Sequence, residues 1–182
     1  MTESPATTAT IKDLQSKYVL PTYGPQTALI SGRGTRLYDS EGNTYLDFAC
    51  GIGVTSLGHC HPRVTEAIQR QAAKLIHVSN LFLNENQPRL AAEISRNTFG
   101  GKVFFCNSGA EAIEGMIKLV RKWGNETGRN RIICMENSFH GRTLATAAAT
   151  GQEKVRKGFE PLPEGFRYAE YNSIESVASQ VT

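Results

Sequence analysis

Ser108, Gly109 and Ala110 stand where an apolar run, Val103-Phe104-Phe105-Cys106, gives way to a helical pattern; Ser138-Phe139-His140-Gly141-Arg142-Thr143 follow the next apolar run. The first group has the chemistry of an anion cup. At a helix start the leading N–H groups lack partners and the helix dipole is positive. A serine hydroxyl adds a donor, while Gly109 and Ala110 add no bulk that would keep a phosphate from the backbone. The second group offers a ring able to stack on a flat heteroaromatic, an imidazole, and a guanidinium suited to gripping a carboxylate in bidentate fashion. Ligands of open α/β sheets bind beyond the carboxyl ends of the strands. Together the two groups fit a planar phosphorylated cofactor and a carboxylate-bearing substrate. Each residue also has a plainer explanation: Ser108 and Glu111 match a capping box, Phe139 suits a core, His140 a loop and Arg142 a solvated surface. Neither GxGxxG after a strand nor GxxxxGKS/T occurs, which leaves the usual dinucleotide and Walker readings without support.

The elements that must position these groups follow from the hydrophobic pattern. A short helix is expected over Ile11 to Tyr18. From Ala28 the run ALISGRGTRLYDSEGNTYLDFA reads as a small antiparallel meander, with turns at Gly32 and Gly34 and at Asp39 to Asn43. Gly51, Gly53 and Gly58 mark a loop needing unusual backbone angles. Pro62 suits the first turn of a helix carrying the apolar stripe Val64, Ile68, Ala72, Leu75 and Ile76. A second helix is expected after Pro88, with Leu90, Ala91 and Ile94 inward. Strand Val103–Cys106 precedes a helix from Ala110 to Trp123 with Ile113, Met116, Ile117 and Val120 inward and Gly124 as terminator. Then come strand Arg131–Met135, a loop and small-residue helix over Ser138 to Thr150, strand Arg167–Ala169 and a helix from Ser173. This alternation predicts an α/β fold with a mainly parallel sheet.

The 182 residues suffice for a domain with a real core or a large piece of a bigger one. Hydrophobic residues are 40% and charged residues 20%, which fits a globular chain and not a disordered one. A net charge of +3 is too small to argue for nucleic acid. No apolar run approaches a membrane span. The four cysteines lack CxxC spacing and are expected as buried free thiols in a reducing cytosol. The Thr-rich start has no apolar signal core, so a cytoplasmic location is expected.

Asn107-Ser108-Gly109-Ala110-Glu111-Ala112, followed by Ser138-Phe139-His140-Gly141-Arg142-Thr143, resembles the class III pyridoxal-phosphate-dependent aminotransferases. So do Tyr45-Leu46-Asp47, Gly51-Ile52-Gly53-Val54, Leu57-Gly58-His59-Cys60-His61-Pro62, Ser79-Asn80-Leu81-Phe82 and Ala149-Thr150-Gly151-Gln152-Glu153-Lys154. Within the class the likeness is greatest to the acetylornithine branch, with ornithine and succinylornithine enzymes as relatives. The resemblance implies a fold type I transferase, of which residues 1–75 form a small-domain and interface segment and residues 76–182 the first part of the cofactor-binding large domain. It implies pyridoxal 5'-phosphate as cofactor, its phosphate on Ser108, Gly109 and Ala110, its ring on Phe139, with His140 beside it. Arg142 would bind the substrate carboxylate and Tyr23 would line the substrate pocket. An amino donor and a 2-oxo acid are the implied substrates, and the complete enzyme is expected to be a homodimer with no nucleic-acid or membrane partner. His59 and His61 have HxH spacing, but further ligands at sensible spacing are missing, so no metal is expected.

Two features depart from the family. Ile113 stands where an asparagine is usual, and it also falls on the apolar stripe of its helix. Family members are about twice as long, and the lysine that anchors the cofactor aldehyde lies in their second half. No lysine of this sequence matches it, so this chain is expected to be inactive by itself, with no catalytic residue among the 182.

Overall fold

The strand and turn signals between Ala28 and Asp47 build a three-stranded sheet. In the computed structural model, which describes residues 6–181, β1 (Leu29–Arg33), β2 (Arg36–Asp39) and β3 (Thr44–Leu46) form an antiparallel meander in the order β1-β2-β3. Leu29 pairs with Asp39 and Ser31 with Tyr38, a register shift that marks a bulge in β1. Asp39 makes the β2–β3 turn. Its carboxylate accepts from the N–H groups of Glu41 and Asn43, the Asn43 amide and the Tyr45 hydroxyl, at 2.8–2.9 Å. The Asn43 amide above all holds this carboxyl at a pKa of about 2, and the same hydrogen bond from Tyr45 raises the phenol above its ordinary value.

α1 (Thr8–Tyr18) is capped by the Thr7 side chain and tied to the meander where the Thr8 N–H donates to Ser40 Oγ at 2.8 Å. After β3 the Asp47 carboxylate accepts from Ala49 and Cys50 N–H groups and pairs with His59 Nε2 at 2.7 Å. His59 is thereby occupied as a structural partner, and that hydrogen bond holds the Asp47 pKa below the usual range. The backbone of His59 exchanges two hydrogen bonds with Gly34. Gly32 must lack a side chain here, since a Cβ would come within 2.8 Å of the His59 ring. The single turn α2 (Cys50–Gly53) is broken by left-handed Gly51 and Ile52, the unusual backbone that the glycine-rich loop predicts. α3 (Pro62–Lys74) begins on Pro62. Its apolar stripe forms but is exposed at Val64 and Ile68. The helix stops before Leu75 and Ile76, expected on that stripe; Leu75 is extended, and both are exposed. These elements belong to one compact unit ending at Leu83; a second begins at Asn84.

In the second unit α4 (Asn86–Arg96) starts two residues before Pro88, because Asn84 Oδ1 caps the N–H groups of Asn86 and Gln87. Leu90 and Ile94, expected inward, are exposed. Residues 101–106 form no strand, contrary to expectation. Val103 and Phe105 are half-buried and Phe104 and Cys106 exposed, so the alternation is present, but the segment has no ladder partner among the described residues. α5 (Gly109–Gly124) follows, with Ile117 buried and Met116 and Val120 exposed. It runs into a 3-10 turn, Asn125–Thr127, and the left-handed terminator is Gly128 (φ 71°) rather than Gly124. Gly124 is needed because a Cβ would meet the Arg129 carbonyl oxygen at 1.9 Å.

β4 (Ile132–Met135) and β5 (Phe166–Ala169) pair in parallel, Ile132 with Phe166 through Met135 with Ala169. Between them lie α6 (Leu144–Ala149) and α7 (Glu153–Arg156), and α8 (Ile174–Gln180) closes the described chain. The core of this unit is small: Ala147, Ala148, Ala149, Cys134, Val155 and Ala169 are buried with Ile117. Of the cysteines, all free, only Cys134 is buried; that burial pushes its thiol pKa up, while Cys60 and Cys106 are exposed. Cys106 stays exposed because its segment pairs with no other among the described residues.

Candidate functional site

The α5 corner is both a cap and an open cup. Ser108 is the N-cap, and its Oγ accepts from the Glu111 N–H at 3.2 Å. The reciprocal half of the capping box is displaced by one residue: the Glu111 carboxylate accepts from the N–H and side-chain amide of Asn107. The N–H groups of Gly109 and Ala110 stay outside this arrangement and have no hydrogen-bond partner among the described residues. They lie at the positive end of the α5 dipole. A Cβ placed on Gly109 would meet no atom within 4 Å, and its φ is not left-handed. Neither packing nor backbone conformation in this chain explains a glycine there.

The second group is built on the loop between β4 and α6. Thr143 caps α6 in a capping box with Thr146, and its hydroxyl donates to the Glu114 carboxylate on α5. Gly141, at φ 139°, presses against α5. A Cβ on it would lie 2.9 Å from Ala110 Cβ and 2.5 Å from Thr146 Oγ1. The loop bearing Phe139, His140 and Arg142 is therefore seated against the first turn of α5. Phe139 is 56% exposed, with the Arg142 guanidinium 5.0 Å from its ring centroid. His140 is half-buried, and Arg142 is exposed.

The structure thus seats the loop that carries Phe139, His140 and Arg142 against the helix that Ser108, Gly109 and Ala110 begin. Tyr23 lies in the first unit, on an irregular segment, and is exposed. The Phe139–Arg142 contact was not legible in the sequence, which suggests separate tasks for ring and cation. Glu114 was missed as well. The signal was present, a carboxylate one helical turn beyond Ala110, but its partner Thr143 is 29 residues away.

This arrangement can hold an anion on main-chain donors with an aromatic face and a cation alongside. Residues 22–181 match the family Aminotransferase class-III. The chain belongs to the class III aminotransferases. It is 56% identical over 171 residues to an acetylornithine aminotransferase of Caldanaerobacter subterraneus subsp. tengcongensis, covering 92% of this chain and 44% of that relative. To an acetylornithine aminotransferase of Methanocaldococcus jannaschii it is 48% identical over 176 residues, covering 93% of this chain and 44% of the relative. Among solved structures it resembles the ornithine aminotransferase of Toxoplasma gondii, described with partial occupancy of PLP at the protein active site. The TM-score is 0.88 at 29% identity, over 95% of this chain and 42% of that one. The class III chain described here therefore carries the first part of a fold type I transferase and spans less than half the length of the curated relatives it matches. Among its described residues no helix is long and apolar enough to cross a membrane.

Proposed function

We propose that this chain supplies the phosphate-binding and ring-contacting part of a pyridoxal-phosphate-dependent acetylornithine:2-oxoglutarate aminotransferase serving arginine synthesis. The observation that supports the reading is the packing of Gly141 on Ala110, which holds the loop bearing Phe139 and Arg142 against the first turn of α5. The residues present fit the cofactor: two unpartnered amides and a hydroxyl for its phosphate, with no side chain in the way, and an exposed ring for its plane. When bound, pyridoxal phosphate supplies an aldehyde and an electron-withdrawing ring that let an amino group pass between an amino acid and a 2-oxo acid. Ser108 Oγ, already accepting from Glu111, has its own hydrogen left to donate to a phosphate oxygen. Phe139 offers one face to a flat ring while Arg142 lies over the other. Arg142, exposed and among the described residues held by that contact alone, is free to swing its fork onto a substrate carboxylate.

The preference for N-acetylornithine over ornithine rests on identity, 48–56% to relatives named for the acetylated substrate against 29% to the ornithine enzyme. Tyr23 as a pocket residue, His140 beside the cofactor, homodimeric assembly and a cytosolic location belong to the same reading and rest on family likeness. So does the division into a small-domain segment, 1–75, and the first part of the cofactor domain, 76–182.

Gly109→Asp tests the cup directly. A Cβ here meets no atom within 4 Å and an acidic residue suits a helix start, so folding should be preserved. Its carboxylate repels the phosphate, and uptake of pyridoxal phosphate, followed by equilibrium dialysis, should fall by about tenfold or more. Unchanged uptake in a folded variant would sink the assignment of this corner. For the reaction, the protein carrying the rest of the family's length should transfer the amino group of N-acetylornithine to 2-oxoglutarate faster than that of ornithine.

A further inference from the structure

We propose that Thr150 is a positioning residue for the cofactor-contacting loop, its buried hydroxyl fixing the backbone that presents Phe139; this rests on the cofactor reading above. Thr150 follows α6 and is fully buried. Its Oγ1 accepts from the His140 N–H at 3.0 Å and donates to the Thr146 carbonyl at 2.8 Å, so its single hydrogen is committed. The Thr150 N–H is held by the carbonyls of Thr146 and Ala147. The anchor is thus fixed to the helix before it offers a lone pair to the loop.

The two residues after Thr150 continue the strap. Gly151 accepts from the Asn137 N–H at 2.8 Å and donates to Ser138 Oγ at 3.3 Å. Gln152 Nε2 donates to the carbonyls of Ser138, at 3.0 Å, and Asn137, at 3.3 Å. Gly151 lies so flat on the end of β4 that a Cβ would meet the Met135 carbonyl at 2.2 Å. Three consecutive residues therefore hold Asn137, Ser138 and His140, bracketing Phe139. The Phe139 ring is largely exposed and has no core to seat it, so its place is set by its backbone. Stacking demands placement to about half an ångström, and Thr150 is the part of the strap that holds the residue following Phe139.

The test compares Thr150→Val, which keeps the shape and removes the hydroxyl, with Thr150→Ser, which keeps the hydroxyl. Affinities for pyridoxal phosphate and for inorganic phosphate are measured on the 182-residue chain by equilibrium dialysis, with amide exchange at His140 and Asn137 by NMR. The valine variant should bind pyridoxal phosphate about three- to tenfold more weakly and inorganic phosphate within about twofold of the parent. Its His140 amide should exchange about tenfold faster, with Asn137 unchanged, and the serine variant should restore all three. Unaltered pyridoxal phosphate affinity, or equal loss of both ligands, overturns the proposal. Should the valine variant not fold, Gln152→Ala, which removes only the two Nε2 bonds, must show the same selective loss or the strap has no positioning role. If the parent chain binds inorganic phosphate and not pyridoxal phosphate, the cofactor reading falls and takes the proposal with it; a parent that binds both beside an indifferent valine variant sinks the proposal alone.

Discussion

In the first unit the best-connected side chains are the sheltered carboxylates of two turns; in the second they are buried threonines, and glycines pressed onto carbonyls. Asp39 gathers four donors around one turn, and Asp47 ties two N–H groups to His59. Apart from Ala28 the first unit has no buried hydrophobic residue among those described. The second unit instead closes by contact: Gly124 on Arg129, Gly141 on Ala110, Gly151 on Met135, with alanines filling the space. A polar turn is held by charge and so responds to pH. A close backbone approach responds to volume. The candidate site sits in the second kind of structure, where a loop can be fixed without a large core.

The largest effect that would sharpen this contrast comes from Gly151→Ala. Its Cβ has a carbonyl oxygen at 2.2 Å and backbone cannot yield cheaply, so the second unit should lose about 3 kcal/mol or more, read by urea denaturation. A loss below about 1 kcal/mol would mean that the strap is looser than its geometry.

A smaller effect should appear in acid and only in the first unit. The Asp39 carboxyl is depressed to about 2, first by the Asn43 amide, against an ordinary value of about 3.9 when unfolded. A depressed folded pKa stabilises fully above the unfolded value and is lost as pH falls toward the folded one. Melting temperature of the parent should therefore decline between about pH 4 and pH 2, and Asp39→Asn should flatten that decline while lowering stability at pH 7. An unaltered pH profile in the variant would show that Asp39 is not the titrating group.

The smallest effect is expected at Gly109. Because a Cβ there meets nothing, Gly109→Ala should leave stability unchanged or raise it by up to about 1 kcal/mol. Measured against Gly151→Ala by the same denaturation, it separates a glycine kept for the fold from one with no role in it. A large loss at Gly109 would remove the main structural reason for reading that corner as a ligand site.

Much of this was legible from residue order. The meander follows from β-rich runs broken by Asp39-Ser40-Glu41-Gly42-Asn43, and α3 starts on Pro62 as its position predicts. Ser108 caps α5 because a hydroxyl before a helical pattern has one obvious N–H to accept. Other expectations failed where a partner decides the outcome. Val103–Cys106 alternates like a strand and pairs with nothing described, and the stripes on α3 and α4 form without being covered. Periodicity reports which face is apolar; it does not report whether another element lies over that face.

Gly124 shows the same limit in reverse. Its place at the end of a helical run reads as a terminator, yet the chain turns left-handed only at Gly128, and Gly124 is there for the returning Arg129 carbonyl. The site divides along this line. Sequence alone determined the chemistry, because amides at a helix start, a ring and a guanidinium are properties of residue types and spacing. That the loop bearing the ring packs on the helix start was decided by tertiary structure, through Gly141 on Ala110 and Thr150 under His140. Those contacts join residues 31 and 10 positions apart, too far for local preference to specify and close enough only once the backbone has folded.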